Sequence, residues 1–138
     1  MIDTKNAPYA ALLLRLSMGV MFIAHALLKP IVFTMPGTVQ YFESLGLPGW
    51  WGWVVMIYEL GGGILLILGV YARWIAALLG IHLIVVAVLA HRDNGWVFAN
   101  QGGGWEFPVF WGLACFALAL LGDGAHALRP STGARASA

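Results

Sequence analysis

The sequence predicts an all-α integral membrane protein, built as an antiparallel four-helix bundle with both termini in the cytoplasm. The composition is the first reason: 61% of the 138 residues are hydrophobic and only 9% are charged. Soluble domains carry about 45–50% apolar and about 25% charged residues. The second reason is that the apolar residues fall into four runs long enough to cross a hydrocarbon layer about 30 Å thick. We therefore expect membrane lipids around the protein and no nucleic-acid partner.

Four spans are predicted, over residues 9–29, 50–72, 74–91 and 105–122. The segments 30–49 and 92–104 are rich in Pro, Gly or Asn-Gly and are predicted to be loops. The connection around Arg73 is so short that the second and third spans must be antiparallel neighbours. Residues 1–128 thus form one predicted domain, and 129–138 are a predicted disordered cytoplasmic tail.

The distribution of basic residues predicts the orientation. Bases concentrate on the cytoplasmic side of multi-pass proteins in bacterial inner membranes, and Trp and Tyr mark both interfaces. Only Lys29 and Arg92 lie on the side opposite the amino terminus, and aromatic residues such as Trp50 and Trp105 stand at span ends. The remaining bases lie on the amino-terminal side: Lys5, Arg15, Arg73, Arg129 and Arg135. The chain is therefore predicted to sit in a bacterial inner membrane.

Ionisable residues inside the spans are the candidate functional residues. Each costs about 2.5–3.5 kcal/mol to insert at mid-helix, so it is expected to have a partner or a role. Glu59 lies within the second span. His25 and Lys29 are four residues apart and share a face of the first helix. His91 and Glu106 map to the outer ends of the third and fourth spans, which predicts one polar layer toward the outer leaflet.

This layer could form a pocket for a quinone, in which carboxylate and imidazole groups act as general acids or bases. The predicted catalytic residues are Glu59, His25 and His91. The predicted quinone-binding residues are Arg15, Lys29 and Glu106. The alternative is a hydrogen-bond network that only ties the helices together.

Metal-based and thiol-based chemistry find little support in the sequence. Cys115 is the single cysteine, so the chain can form neither an internal disulfide nor a CxxC pair, and no metal site is predicted. His82 and His91 point to opposite faces of the third helix, because nine residues turn through about 900°. Haem ligation by His25 with His91 remains open geometrically, but we favour a quinone.

The ordered set of polar and glycine motifs resembles the DoxX family over about residues 10–125. The motifs are Arg15-Leu16, Gly19, Phe22, His25 and Lys29, then Leu45-Gly46-Leu47-Pro48, Glu59-Leu60-Gly61-Gly62-Gly63, Leu68-Gly69 and Arg73, and finally His91, Asn94-Gly95, Glu106, Pro108 and Leu121-Gly122-Asp123-Gly124. The resemblance implies a four-helix bacterial inner-membrane protein linked to quinone oxidoreductases. The extra His82 departs from the family pattern.

Three functions follow as hypotheses. The first is a membrane subunit of a quinone-linked oxidoreductase. The second is a non-catalytic accessory or assembly subunit of a larger membrane complex, and the third is a small transporter that would act as a homo-oligomer. Since the chain has no recognisable cofactor motif of its own, any electrons must come from a partner or a diffusible carrier.

Overall fold

The computed structural model describes residues 3–132 and is all-α within that range, as predicted. Its helices are α1 (Ala7–Ile31), α2 (Met35–Ser44), α3 (Trp51–Leu68), α4 (Ala72–Val86) and α5 (Glu106–Leu121). A π-helical turn, Ala87–His91, and a 3₁₀ turn, Arg92–Asn94, continue α4. Among these residues there is no strand, and the sole extended pairing is an isolated bridge between Val70 and Arg129.

Three helical segments are long and apolar enough to cross a membrane: Ala7–Ile31, Trp51–Leu68 and Ala72–Asn94. Helix α5 is also apolar but has only 16 residues. Large apolar side chains on these helices point outward, with Leu120 85%, Phe110 71% and Leu13 67% exposed. Such an apolar exterior suits contact with acyl chains rather than water.

The four long helices pack side by side. Helix α1 lies against α3 and α4 lies against α5, while contacts of α3 with α4 and of α1 with α5 complete the arrangement. Helices α1 and α3 approach closely at Gly19 and Gly63, where a Cβ on either residue would lie 2.8 Å from the other's carbonyl oxygen. Close approach over small residues is the usual way in which membrane helices gain packing contacts.

Part of the predicted first loop is helical. Helix α2 begins where the Thr34 side chain accepts a hydrogen bond from the Gly37 N–H, with Pro36 in its first turn. A capping hydroxyl and a proline at the helix start both favour helix initiation. The Pro and Gly content of segment 30–49 therefore marks the ends of a short helix rather than a continuous loop.

Residues 122–131, which we call the closing segment, cover the end of the molecule where α1 and α4 begin and α3 and α5 end. Its backbone pairs with α1 through Ala125 N–H to Pro8 O, and with the end of α3 through Arg129 N–H to Gly69 O. Residues 129–131, the start of the tail that was predicted to be disordered, are thus held to the helices. Residues 133–138 lie outside the described residues.

Asp123 anchors the closing segment. Its carboxylate accepts hydrogen bonds from the Ser131 N–H and hydroxyl, both at 2.8 Å, and from the Arg73 N–H at 3.1 Å. Burial by itself would raise the pKa of Asp123, but the Ser131 and Arg73 hydrogen bonds and the Arg73 charge outweigh it and hold the pKa below the ordinary value of 3.8. The ionised carboxylate therefore stabilises the folded end.

Candidate functional site

Glu59 is the centre of a buried polar cluster formed by three helices. Its carboxylate accepts a hydrogen bond from Lys29 Nζ of α1 at 2.5 Å and one from His82 Nε2 of α4 at 3.1 Å. The three side chains are 9%, 14% and 13% exposed, respectively. Both oxygens of the carboxylate are engaged, so its charge is balanced within a low-dielectric environment.

The Lys29 ammonium turns inward instead of extending to the membrane interface. Besides Glu59, it donates a hydrogen bond to the His25 carbonyl oxygen, one turn earlier in α1, at 3.3 Å. Side chains on a helix lean toward its amino terminus, which lets Lys29 reach Glu59 from the last turn of α1. The lysine therefore acts as the counter-ion of Glu59.

His25 lies beside aromatic rings rather than beside Glu59. Its Nδ1 donates a hydrogen bond to the Met21 carbonyl oxygen at 2.9 Å. The imidazole ring lies 4.9 Å from the Trp111 ring and 6.2 Å from the Phe107 ring, measured between centroids. Since Nδ1 bonds to a carbonyl, the Nε2 atom of His25 is the one left for other partners.

His91 and Glu106 hold the loop between α4 and α5. His91 Nδ1 donates to the Gly103 carbonyl oxygen at 2.9 Å, and Glu106 Oε1 accepts from the Phe98 N–H at 2.7 Å. Asn94 donates to the Gly103 carbonyl as well. These two predicted site residues are thus engaged with loop backbone and not with Glu59.

Arg15 lies at the opposite end of the molecule from the Glu59 cluster. Fourteen residues separate it from Lys29 on α1, which is about 21 Å along the helix. It is 1% exposed, and its guanidinium donates to the carbonyl oxygens of Asp123 at 2.6 Å and Ala125 at 3.2 Å. Arg15, a predicted quinone-binding residue, therefore lies apart from Lys29 and belongs with the closing segment.

Two adjoining cavities lie between α3 and α4 and are open at the surface of the protein. The first, of about 270 Å³, is lined by Trp51, Val54, Val55, Tyr58, Leu78, Ile81 and His82. The second, of about 230 Å³, shares Tyr58 and Leu78 with the first and continues past Gly61 and Gly62 toward Leu65 and Ile75. We call the two together the α3/α4 groove. His82 therefore contacts both the buried Glu59 carboxylate and a space open to the surroundings.

His82 is the functional candidate that sequence reasoning missed. The available signal was the antiparallel hairpin: Glu59 precedes Gly69, the end of α3, by as many residues as His82 follows Ala72, the start of α4. Equal distances from a tight turn place two residues at the same depth on neighbouring antiparallel helices. Among residues 3–132, no three His, Cys, Asp or Glu side chains are grouped so as to hold a metal ion.

Comparison with known proteins points to one family. The DoxX family model matches residues 10–92. A Bacillus subtilis (strain 168) protein named "Putative oxidoreductase CatD" is 32% identical over 126 residues, covering 91% of this chain and 89% of the relative. An Escherichia coli (strain K12) protein named "Inner membrane protein YphA" is 30% identical over 128 residues, covering 88% and 89%. No solved structure matches the chain.

Proposed function

Since this chain belongs to the DoxX family of membrane proteins, as its motifs predict, we propose that it is the membrane subunit of a quinone-linked oxidoreductase of a bacterial inner membrane. The single observation that carries the proposal is the contact of Glu59, a membrane-depth carboxylate, with His82 at the wall of an open groove. The name of the Bacillus subtilis relative, which describes an oxidoreductase, supports the same class of reaction.

The chemistry assigned to the site is proton transfer. A quinone takes up electrons and protons in equal number when it is reduced, and the protons must reach its oxygens through the protein. His82 Nε2 faces Glu59, so Nδ1 is the nitrogen available to a ligand in the groove. In its doubly protonated form His82 gives its Nδ1 proton to the reduced quinone oxygen. A proton from water on the outer side of the membrane restores this form, which the Glu59 carboxylate stabilises, as paired carboxylate and imidazole groups do in general acid and base catalysis.

The electrons come from a redox partner protein. Cys115, the single cysteine, is buried between helices, so thiol chemistry within one copy has no second sulfur. Electrons therefore enter from a reduced group on a partner subunit and leave on the quinone. Exposed Phe98 and Val97 in the loop between α4 and α5 provide an apolar surface on the side of the Glu59 cluster.

The proposed topology has four crossings, with both termini in the cytoplasm. The side-by-side packing of α5 with α1 and α4 supports a fourth crossing despite its 16 residues. The concentration of bases at the end that carries the closing segment supports the orientation. In this topology the Glu59 cluster lies near the bilayer centre, and the loop between α4 and α5 lies on the outside.

Binding of a short-tailed benzoquinone tests the proposal. The purified protein in mild detergent is titrated with a benzoquinone that carries a single isoprene unit, and quenching of tryptophan fluorescence is followed, because Trp51 lines the same cavity as His82. We expect saturable quenching that weakens about tenfold, or about 1.4 kcal/mol, in His82→Asn and in Glu59→Gln. The matched control, His126→Asn at the other end of the molecule, should bind like wild type. Equal binding by all four proteins, or none by wild type, would refute the proposal.

A non-catalytic accessory subunit is the second candidate function. It is favoured by the observation that four of the six predicted site residues, Arg15, His25, His91 and Glu106, have backbone groups as their hydrogen-bond partners. Such contacts stabilise a fold without requiring chemistry. Under this alternative, His82→Asn reduces the amount of partner protein that copurifies and leaves the turnover of each assembled complex unchanged.

A further inference from the structure

The α3/α4 groove has the form of a binding site for a molecule with one polar end and a long apolar tail. Its polar end is His82, whose imidazole is backed by the Glu59 carboxylate and the Lys29 ammonium. The remaining lining is apolar apart from the Tyr58 hydroxyl and the Trp51 indole N–H, and the two cavities follow one another along the helices through Tyr58 and Leu78. The lining residues on α3 run from Trp51 to Leu65, about 21 Å along the helix, which is longer than a quinone ring.

The depth of His82 in the membrane favours one class of bound molecule. His82 lies ten residues after Ala72, the start of α4, which is about 15 Å along the helix or half of the hydrocarbon thickness. A phospholipid keeps its charged headgroup at the interface, because burying an ion in hydrocarbon is costly. An uncharged quinone ring dissolves in hydrocarbon and still offers carbonyl oxygens as hydrogen-bond acceptors. The site therefore suits a quinone rather than a phospholipid.

Gly61 and Gly62, the first two residues of the glycine triplet, line the groove. Gly61 faces open space, since a Cβ added there would have no atom within 4 Å, whereas one at Gly62 would touch Leu79 and one at Gly63 would meet α1. Gly63 is thus used for packing against α1, and Gly61 is not. A glycine inside a helix is unfavourable unless its small size has a role. At Gly61 that role is to leave the groove open.

We propose that the α3/α4 groove is a lateral binding site for the isoprenoid tail of the quinone, which enters from the bilayer with its ring toward His82 and its tail lying over Gly61. This inference rests on the proposed function and specifies the route and the tail-binding surface of the same site. A long-tailed quinone contacts Gly61, and a short-tailed quinone does not reach beyond Tyr58.

Filling the groove separates this inference from the proposed function. Gly61→Leu adds bulk where no atom stands and also raises helix propensity, so the variant should fold. Ile64→Phe is the matched control, because Ile64 is 43% exposed on the same helix and does not line the groove. Each protein is titrated by tryptophan fluorescence quenching with two benzoquinones, one with a single isoprene unit and one with a long isoprenoid tail. We expect Gly61→Leu to weaken long-tail binding about fivefold relative to short-tail binding, and Ile64→Phe to change neither.

A second measurement locates the tail directly. A benzoquinone with a photoreactive diazirine at the end of its tail is cross-linked to wild-type protein and to Gly61→Leu, and the labelled peptides are mapped by mass spectrometry. Labelling of α3 and α4 around Leu65 and Ile75, lost in Gly61→Leu, supports the inference. Labelling of α1 or α5 instead, or an equal effect of Gly61→Leu on both tail lengths, overturns it while leaving the proposed function in place. The absence of saturable quinone binding by wild type overturns both.

Discussion

Removing the Lys29 charge should destabilise the protein strongly, because it leaves Glu59 as a buried carboxylate without its main counter-ion. The Lys29 and Glu59 side chains are 14% and 9% exposed, which places the pair among buried ion pairs. Removing one partner of such a pair costs about 3–5 kcal/mol, whereas exposed pairs contribute about 0–1 kcal/mol. Because His82 still donates to Glu59, we expect Lys29→Met to fall near the lower limit, about 3 kcal/mol.

A double-mutant cycle isolates the interaction. Lys29→Met, Glu59→Gln and the double variant are unfolded in mixed micelles with increasing denaturant, and the free energy of unfolding is compared with wild type. We expect the double variant to recover about 2 kcal/mol relative to the sum of the single changes, since neither charge is left alone. Strict additivity of the two single effects would refute the buried ion pair as the source of stability.

Four further predictions address other parts of the molecule. Gly63→Ala should destabilise the fold by about 1–3 kcal/mol, since its Cβ would meet the Gly19 carbonyl oxygen. Gly61→Ala should instead stabilise the fold by about 0.5–1 kcal/mol. Equal effects of the two changes on unfolding by denaturant would contradict this. Arg15→Leu should lower the free energy of unfolding by about 3 kcal/mol. Arg15→Lys should recover only part of this loss, because one ammonium lacks the planar fork that spans two carbonyls. Both variants should bind short-tailed quinone like wild type. Asp123→Asn should cost about 1–3 kcal/mol at neutral pH. Since folding depresses this pKa, that stabilisation is complete well above 3.8 and disappears as the pH falls below it, so acid unfolding of wild type and variant should converge there. Finally, Val97→Cys should react with a membrane-impermeant maleimide added outside intact cells, and Thr132→Cys should not. Cys115 is buried and should not react in either variant. The reverse pattern of labelling would show the orientation opposite to the one proposed.

The fold class could be predicted from the sequence because hydropathy reports the surrounding medium directly. The four apolar runs correspond to α1, α3, α4 and α5, with boundaries shifted by one to five residues. Helix α2 was missed because the proline and glycine residues of segment 30–49 were interpreted as loop residues, although Pro36 lies in its first turn. Helical periodicity within one span cannot reveal which residues of distant segments meet.

The same limit explains the site predictions. Glu59 with Lys29 could be anticipated, because an embedded carboxylate requires a cation. Arg15 was predicted to bind the quinone together with Lys29, but the 14 residues between them place the two side chains about 21 Å apart along α1. His82 was noted only as a departure from the family pattern and as facing away from His91, yet it completes the Glu59 cluster. Depth matching across the short α3–α4 turn was the missing step.

The contacts of Arg15 bear on how the protein is made. Its acceptors, the carbonyl oxygens of Asp123 and Ala125, lie 108 and 110 residues further along the chain. The cation of α1 therefore leaves the ribosome more than a hundred residues before the carbonyl groups that finally bind it. Until these carbonyl groups are in place, water or lipid phosphate must solvate the guanidinium, because a buried charge without partners is costly.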